Sequence, residues 1–322
     1  MLFLTLLMFS SCLSDAERKN PLDPQSQSFK NVGRVFGQTL TFYVPFSPLP
    51  GVDVRLEPGT IATRTDAAGQ FQFENVPEGV YTVVAEKPGF AMDRDSVTVR
   101  LGQASEVRLN LDGLPVARVF SVTSCHISRV FPENDQFFLE VVAQLDDPDG
   151  ANDVVKVELE IPELAYKDTL EVTPTPGTFR RIIDAAALPG GSLQGVLGRK
   201  LVLNATDRAG FSARSEPQFL ARVIEATPSA KSPNGFNVVA SPTPQLVWAP
   251  ITLNFDYTFK LDVFRVDFGL NTLVWSRSGI SADSTSFTVS DSLSSGIYFW
   301  TVSVVDDFGN WSSSKQASFQ VQ

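Results

Sequence analysis

Histidine is almost absent: His126 is the only one among 322 residues. Zinc sites built on several imidazoles are thereby removed, as is every Ser-His-Asp or Cys-His arrangement that does not use this residue. Cysteine is nearly as scarce, with only Cys12 and Cys125. Basic residues are outnumbered, 26 Lys and Arg against 36 Asp and Glu, for a net charge of −10. Nucleic acid and anionic lipid both require a basic face, so neither is expected as an electrostatic partner. The longest apolar run, Met1 to Phe9, falls short of the ~20 residues needed to span a bilayer. No long helical period occurs, apart from a turn expected around 182–188. Charged residues reach only 19% and hydrophobic residues 43%, a balance that supports packed cores rather than disorder.

What is present begins with that short run. It has the length of a signal-peptide core, and Ser10-Ser11-Cys12 closes it with small residues. No Lys or Arg precedes it, and Phe9 stands where Leu is usual. Those two departures aside, the apolar run closed by Ser10-Ser11-Cys12 resembles a bacterial lipoprotein precursor. The resemblance implies a signal peptide over 1–12 and an acylated Cys12 as the mature first residue. It also implies a partner in the membrane through that lipid, and a place in the cell envelope at the outer membrane. Several acyl chains on one cysteine hold a protein firmly, where one holds it only marginally. With Cys12 so used no disulfide remains, and stability rests on cores. Residues 13–32, polar and carrying Pro21 and Pro24, read as a spacer reaching roughly 25 Å as a coil.

Residues 33–113 alternate at period two: Val54 and Leu56, Phe71 and Phe73, Tyr81 and Val83, Val97 and Val99. Half-buried antiparallel strands follow, with turn chemistry at Asp66 to Gly69 and at Pro77 to Gly79. Together with Pro88-Gly89-Phe90, this segment resembles a carboxypeptidase regulatory-like domain, a transthyretin-like sandwich. The catalytic zinc of those enzymes belongs to a neighbouring domain with two His and a Glu, which this chain lacks. The resemblance therefore implies a fold and an accessory role.

Residues 116–223 alternate at Phe137, Leu139, Val141, Ala143 and Leu145. They alternate again at Val155, Val157, Leu159 and Ile161, against outward Lys156, Glu158 and Glu160. They resemble a bacterial immunoglobulin-like domain. Residues 224–322 place Trp248 and Trp300 at core-like strand positions, and Leu293, Gly296 and Tyr298 are spaced as in the tyrosine corner of fibronectin type III domains. The expected fold class is all-β: three consecutive sandwiches, transthyretin-like, Ig-like and fibronectin type III-like, after a signal peptide.

Few residues carry chemistry. Asp147, Asp149 and Asp153 are candidate calcium carboxylates, but Leu145 holds the first acidic position of an EF-hand and no Glu closes the loop, so a plain Asp/Pro/Gly turn competes. Cys125 and His126 are adjacent in a strand and point to opposite faces, which reads as a half-buried thiol beside a surface imidazole. Trp275 and Trp311 lie near turns and are the candidates for an exposed aromatic platform. The expected function is non-catalytic binding, adhesion or assembly without a cofactor, through an envelope protein or surface glycan. The alternatives are a carbohydrate-binding accessory lipoprotein and, last, a hydrolase with an acidic site unmarked by motif.

Overall fold

The computed structural model describes Asp23, Gln25, Ser26 and residues 31–322, so Cys12 and most of the spacer lie outside the described residues. Among those described there is no α-helix. The described strands form two compact units, one ending at Leu114 and the other over Pro115–Gln322.

The first unit contains β1 (Val32–Thr41), β2 (Asp53–Glu57), β3 (Ala62–Arg64) and β4 (Gln70–Pro77). It continues with β5 (Gly79–Glu86), β6 (Asp93–Val99) and β7 (Ala104–Leu111). Its sheets run β4-β1-β7 and β3-β2-β5-β6, with β1 and β7 parallel. The alternating Val54, Leu56, Phe71, Phe73, Val97 and Val99 all turn into one core, as period two requires.

In the second unit the chain lays down β8 (Val116–Ile127), β9 (Gln136–Asp146), β10 (Val154–Ile161), β11 (Tyr166–Thr169) and β12 (Glu171–Val172). Then follow β13 (Thr178–Asp184), β14 (Lys200–Asp207), β15 (Ser212–Arg214) and β16 (Gln218–Phe219). Leu139, Val141, Val157, Leu159 and Leu203 share one core between β12-β13-β9-β8 and β11-β10-β14-β15. Two expectations need correction here. A bulge between Val154 and Lys156 buries Val154 and leaves Val155 exposed, because the extra residue reverses the side-chain alternation before it. The turn expected around 182–188 is strand to Asp184 and a single 3-10 turn over Ala185–Ala187, capped by Asp184 Oδ1 on the Ala186 N–H.

The remaining strands are β17 (Ser229–Ser232), β18 (Asn237–Val239), β19 (Gln245–Ala249), β20 (Tyr257–Asp267) and β21 (Leu270–Ser281). They end with β22 (Ser286–Thr288), β23 (Gly296–Asp306), β24 (Trp311–Ser313) and β25 (Ala317–Val321). Trp248, Phe259, Leu261, Trp300 and Val302 fill their core. Tyr298 Oη donates to the Ser294 carbonyl at 2.7 Å, which is the tyrosine-corner bond.

The second and third cores share a sheet. β24 adds in parallel to β8, pairing Trp311 with Cys125 and Ser313 with Ile127, so one ten-stranded sheet serves both. Val223 packs on one core and Ile224 belongs to the other. One turn recurs through the chain. Asp66, Asp207 and Asp306 each accept the N–H of the Gly three residues on, and their Oδ1 accepts the N–H of the residue after it. Those glycines sit at φ +71, +92 and +82, the left-handed region a hairpin bulge needs.

Candidate functional site

Strand alternation builds a groove on the outer face of β20, β23 and β24. Phe259, Leu261, Trp300 and Val302 point into the core, so Asp262, Phe264, Phe299, Thr301 and Ser303 face the other way. The groove encloses about 780 Å³, within the range of small-molecule sites. Phe264 and Phe299 stack on one wall at 4.8 Å and 14°. Trp311 lines another, held edge-on to Phe138. Between them the small Ser303, Ser313 and Ser314 leave a hydroxyl-bearing floor. At the rim Lys260 pairs with Asp262 at 2.9 Å, and Ser276 donates to the same carboxylate at 2.6 Å.

A loop joining β8 to β9 completes the groove and presents Phe131 with 89% of its surface exposed. Its base is closed by Asp135, whose two oxygens take His126 Nε2 and Ser128 Oγ, each at 3.1 Å. Burial opposes charge on Asp135, but the bonds from His126 and Ser128 outweigh it and hold the carboxyl below its usual range.

His126 is therefore buried, against the expectation of a surface imidazole. β24 runs beside β8 and Phe137 stacks on the ring at 3.9 Å. Its Nδ1 faces Ser312 Oγ at 3.1 Å and the Ile224 carbonyl at 3.2 Å. Ser312, His126 and Asp135 thus form a Ser-His-Asp chain, but with serine on Nδ1 and aspartate on Nε2, the reverse of a hydrolytic triad. Ser312 has no exposed surface, so its hydroxyl cannot meet a substrate carbonyl. The chain braces the loop. Cys125 is buried rather than half-buried. Desolvation first, and the Glu140 charge second, push its thiol up to about 12, which leaves it a poor nucleophile.

The two tryptophan candidates part company. Trp275 is only 6% exposed, packs in the third core and donates its N–H to Ser290 Oγ, so it offers no platform. Strand β21 extends over Leu270–Ser281, and the turn read near Trp275 lies elsewhere. Trp311 is half-buried on the groove. Sequence reasoning missed Phe264, Phe299 and Phe131, although the alternation of β20 and β23 carried the signal for the first two.

The acidic residues also regroup. Asp147 and Asp153 converge with Asp207, an oxygen of each lying within 4.8 Å of the others. Asp149 instead donates its backbone N–H to Asp147 Oδ1 at 2.8 Å. Asp207 went unnoticed because it lies 54 residues beyond Asp153 in sequence. The pairing of Val154 with Asp207 across β10 and β14 is what joins them. Burial first raises the Asp147 carboxyl, the Asp149 N–H opposes it, and the like charges of Asp153, Asp149 and Asp207 add to it, pushing it up to about 6.

Residues 46–112 match the family model of the carboxypeptidase regulatory-like domain. No curated protein matches the sequence. Among solved structures, the chicken CNTN1 FN1-FN3 domains are similar at 10% identity and TM-score 0.31, over 91% of this chain and 99% of that one. The Bacillus anthracis TIE protein is similar at 10% identity and TM-score 0.27, over 91% of this chain and 48% of that one. A Bacteroides uniformis protein provisionally assigned as carbohydrate binding is similar at 9% identity and TM-score 0.24, over 59% of this chain and 98% of that one. At such scores the likenesses carry no functional argument; the sandwiches and the groove are compatible with a binding or adhesion role. The first sandwich thus matches the carboxypeptidase regulatory-like family over residues 46–112, and further β-sandwich structure follows it.

Proposed function

We propose that the protein is a non-catalytic binding component of the bacterial cell envelope, held there by lipid on Cys12, with the groove beneath Phe131 as its ligand site. The observation that carries the binding reading is the pairing of aromatic walls, Phe299 and Trp311, with a floor of serine hydroxyls. A saccharide suits that pairing. Its C–H faces pack on rings while its hydroxyls exchange hydrogen bonds with Ser303, Thr301 and the Asp262 carboxylate. A surface glycan is accordingly the ligand class proposed ahead of an envelope protein. Among the described residues the one imidazole, His126, is buried beside a serine with no exposed surface, which supports a role without catalysis.

Titrating a panel of soluble glycans into the protein, read by tryptophan emission and calorimetry, should give a saturable change. Trp311→Ala should weaken that binding about tenfold, the worth of roughly 1.4 kcal/mol of ring contact. A full panel without saturation sinks the glycan reading. The lipid is tested separately by intact mass of native material, which should begin at Cys12 and carry added acyl mass. An uncut, unmodified N-terminus would remove the anchor and leave the groove untouched.

A further inference from the structure

We propose that Asp147, Asp153 and Asp207 hold one calcium ion at the end of the second sandwich, away from the groove. Three elements place the ligands. Asp147 follows β9, Asp153 precedes β10 and Asp207 closes β14, so the site is assembled by sheet pairing and not by one loop.

Convergence of carboxylates alone would not make a site. The decisive observation is how their oxygens are spent. Asp147 Oδ1 accepts the Asp149 N–H, and Asp207 Oδ1 accepts the Phe211 N–H, both at 2.8 Å. Each of these bonds fixes its carboxylate and leaves the second oxygen over. The Oδ2 atoms of Asp147 and Asp207 are buried without a hydrogen-bond partner, in side chains 9% and 1% exposed. A buried carboxylate oxygen lacking a donor is costly, and two of them turned to a third acid are costlier.

A divalent cation resolves this. Calcium takes six to eight oxygens at 2.3–2.6 Å, so two ligands on opposite sides of it stand about 4.8 Å apart. The three carboxylates, all within 4.8 Å of one another, fit around such a centre. Magnesium keeps its waters and favours sites shared with phosphates, so a buried set of protein oxygens suits calcium better. The turns hold the acids as well: the Gly150 N–H bonds the Asp147 carbonyl and the Gly210 N–H the Asp207 carbonyl, so both acids sit at hydrogen-bonded turn corners.

Calorimetric titration of the full chain with calcium chloride decides the matter. One ion per chain is expected, with Kd on the order of 10⁻⁴ M, as in extracellular modules. At 5 mM calcium the thermal midpoint should rise by about 5–9 °C. Asp207→Asn keeps the side-chain acceptor for its turn and Asp153→Asn keeps the residue's size, and each should weaken binding at least tenfold with unchanged far-ultraviolet circular dichroism. No saturable binding by the wild type below 10 mM would overturn the proposal whether or not the variants fold. Binding unchanged in both variants, or equal affinity for magnesium, would overturn it as well.

Discussion

Asp306→Ala is expected to destabilise the 115–322 unit by about 3–5 kcal/mol, lowering its thermal midpoint by about 10 °C or more. The carboxylate is wholly buried and accepts four hydrogen bonds. Oδ1 takes the Phe308 and Asn310 N–H groups, each at 2.9 Å, and Oδ2 takes Asn310 Nδ2 at 3.1 Å and Arg222 at 2.7 Å. Arg222 lies over the Phe255 ring at 3.9 Å, and Asn310 Oδ1 in turn accepts the Ser124 N–H of β8. Removing one carboxylate would therefore strand a guanidinium, an amide and a hairpin at the place where the two cores share a sheet. Deleting one partner of a buried pair costs more than the pair's net worth, because the other charge is left desolvated.

Two controls locate the effect. Asp66→Ala breaks the same turn in the first unit, but on the surface, and should cost only about 1 kcal/mol. Asp306→Asn keeps an acceptor for the hairpin and loses the charge facing Arg222, so it should fall between the two. Urea unfolding followed by tryptophan emission reads the Asp306 variants, since all four tryptophans lie between 248 and 311, and far-ultraviolet circular dichroism reads Asp66→Ala in the first unit. If Asp306→Ala costs no more than Asp66→Ala, the buried pair does not hold the junction.

Gly37→Ala should be at least as damaging to the first unit, by about 3 kcal/mol or more. Gly37 lies mid-strand in β1, paired with Phe71 on one side and Val107 on the other. A Cβ built there would stand 2.0 Å from the Val107 carbonyl oxygen and 2.6 Å from the Phe71 ring. The ring covers the space the glycine leaves, and the backbone oxygen cannot move without opening the β1–β7 ladder. Gly51→Ala is the contrast, having a positive φ of 70° but open space, and should cost about 1 kcal/mol. No tryptophan lies in the first unit, so Gly37→Ala should expose residues 33–113 to protease while tryptophan emission stays native. A variant as protease-resistant as the wild type would show that the strand relaxes around the methyl group.

Much of the fold was legible because its signal is local. Phe71 and Phe73 alternate with polar neighbours and do face one core, and Leu293, Gly296 and Tyr298 do make a tyrosine corner. Val155 misled because a bulge is a one-residue event that alternation cannot register in advance. Trp275 misled because nearness to a turn says nothing about which face of a long strand a residue occupies. His126 misled more instructively. Its surroundings come from Asp135, Phe137, Ile224 and Ser312, and the last of these is 186 residues away.

The amino-acid order by itself determined the all-β class, the three hydrophobic cores, the recurring Asp-to-Gly turns and the scarcity of catalytic groups. Each of these follows from period-two burial, local hydrogen bonding or simple inventory. Only the tertiary structure decided that β24 continues the sheet begun at β8, that Trp311 and not Trp275 borders a groove, and that Asp207 joins Asp147 and Asp153. Strand pairing is a long-range choice settled by which buried faces and polar junctions fit together. A sequence read one window at a time contains the pieces of that choice but not its outcome.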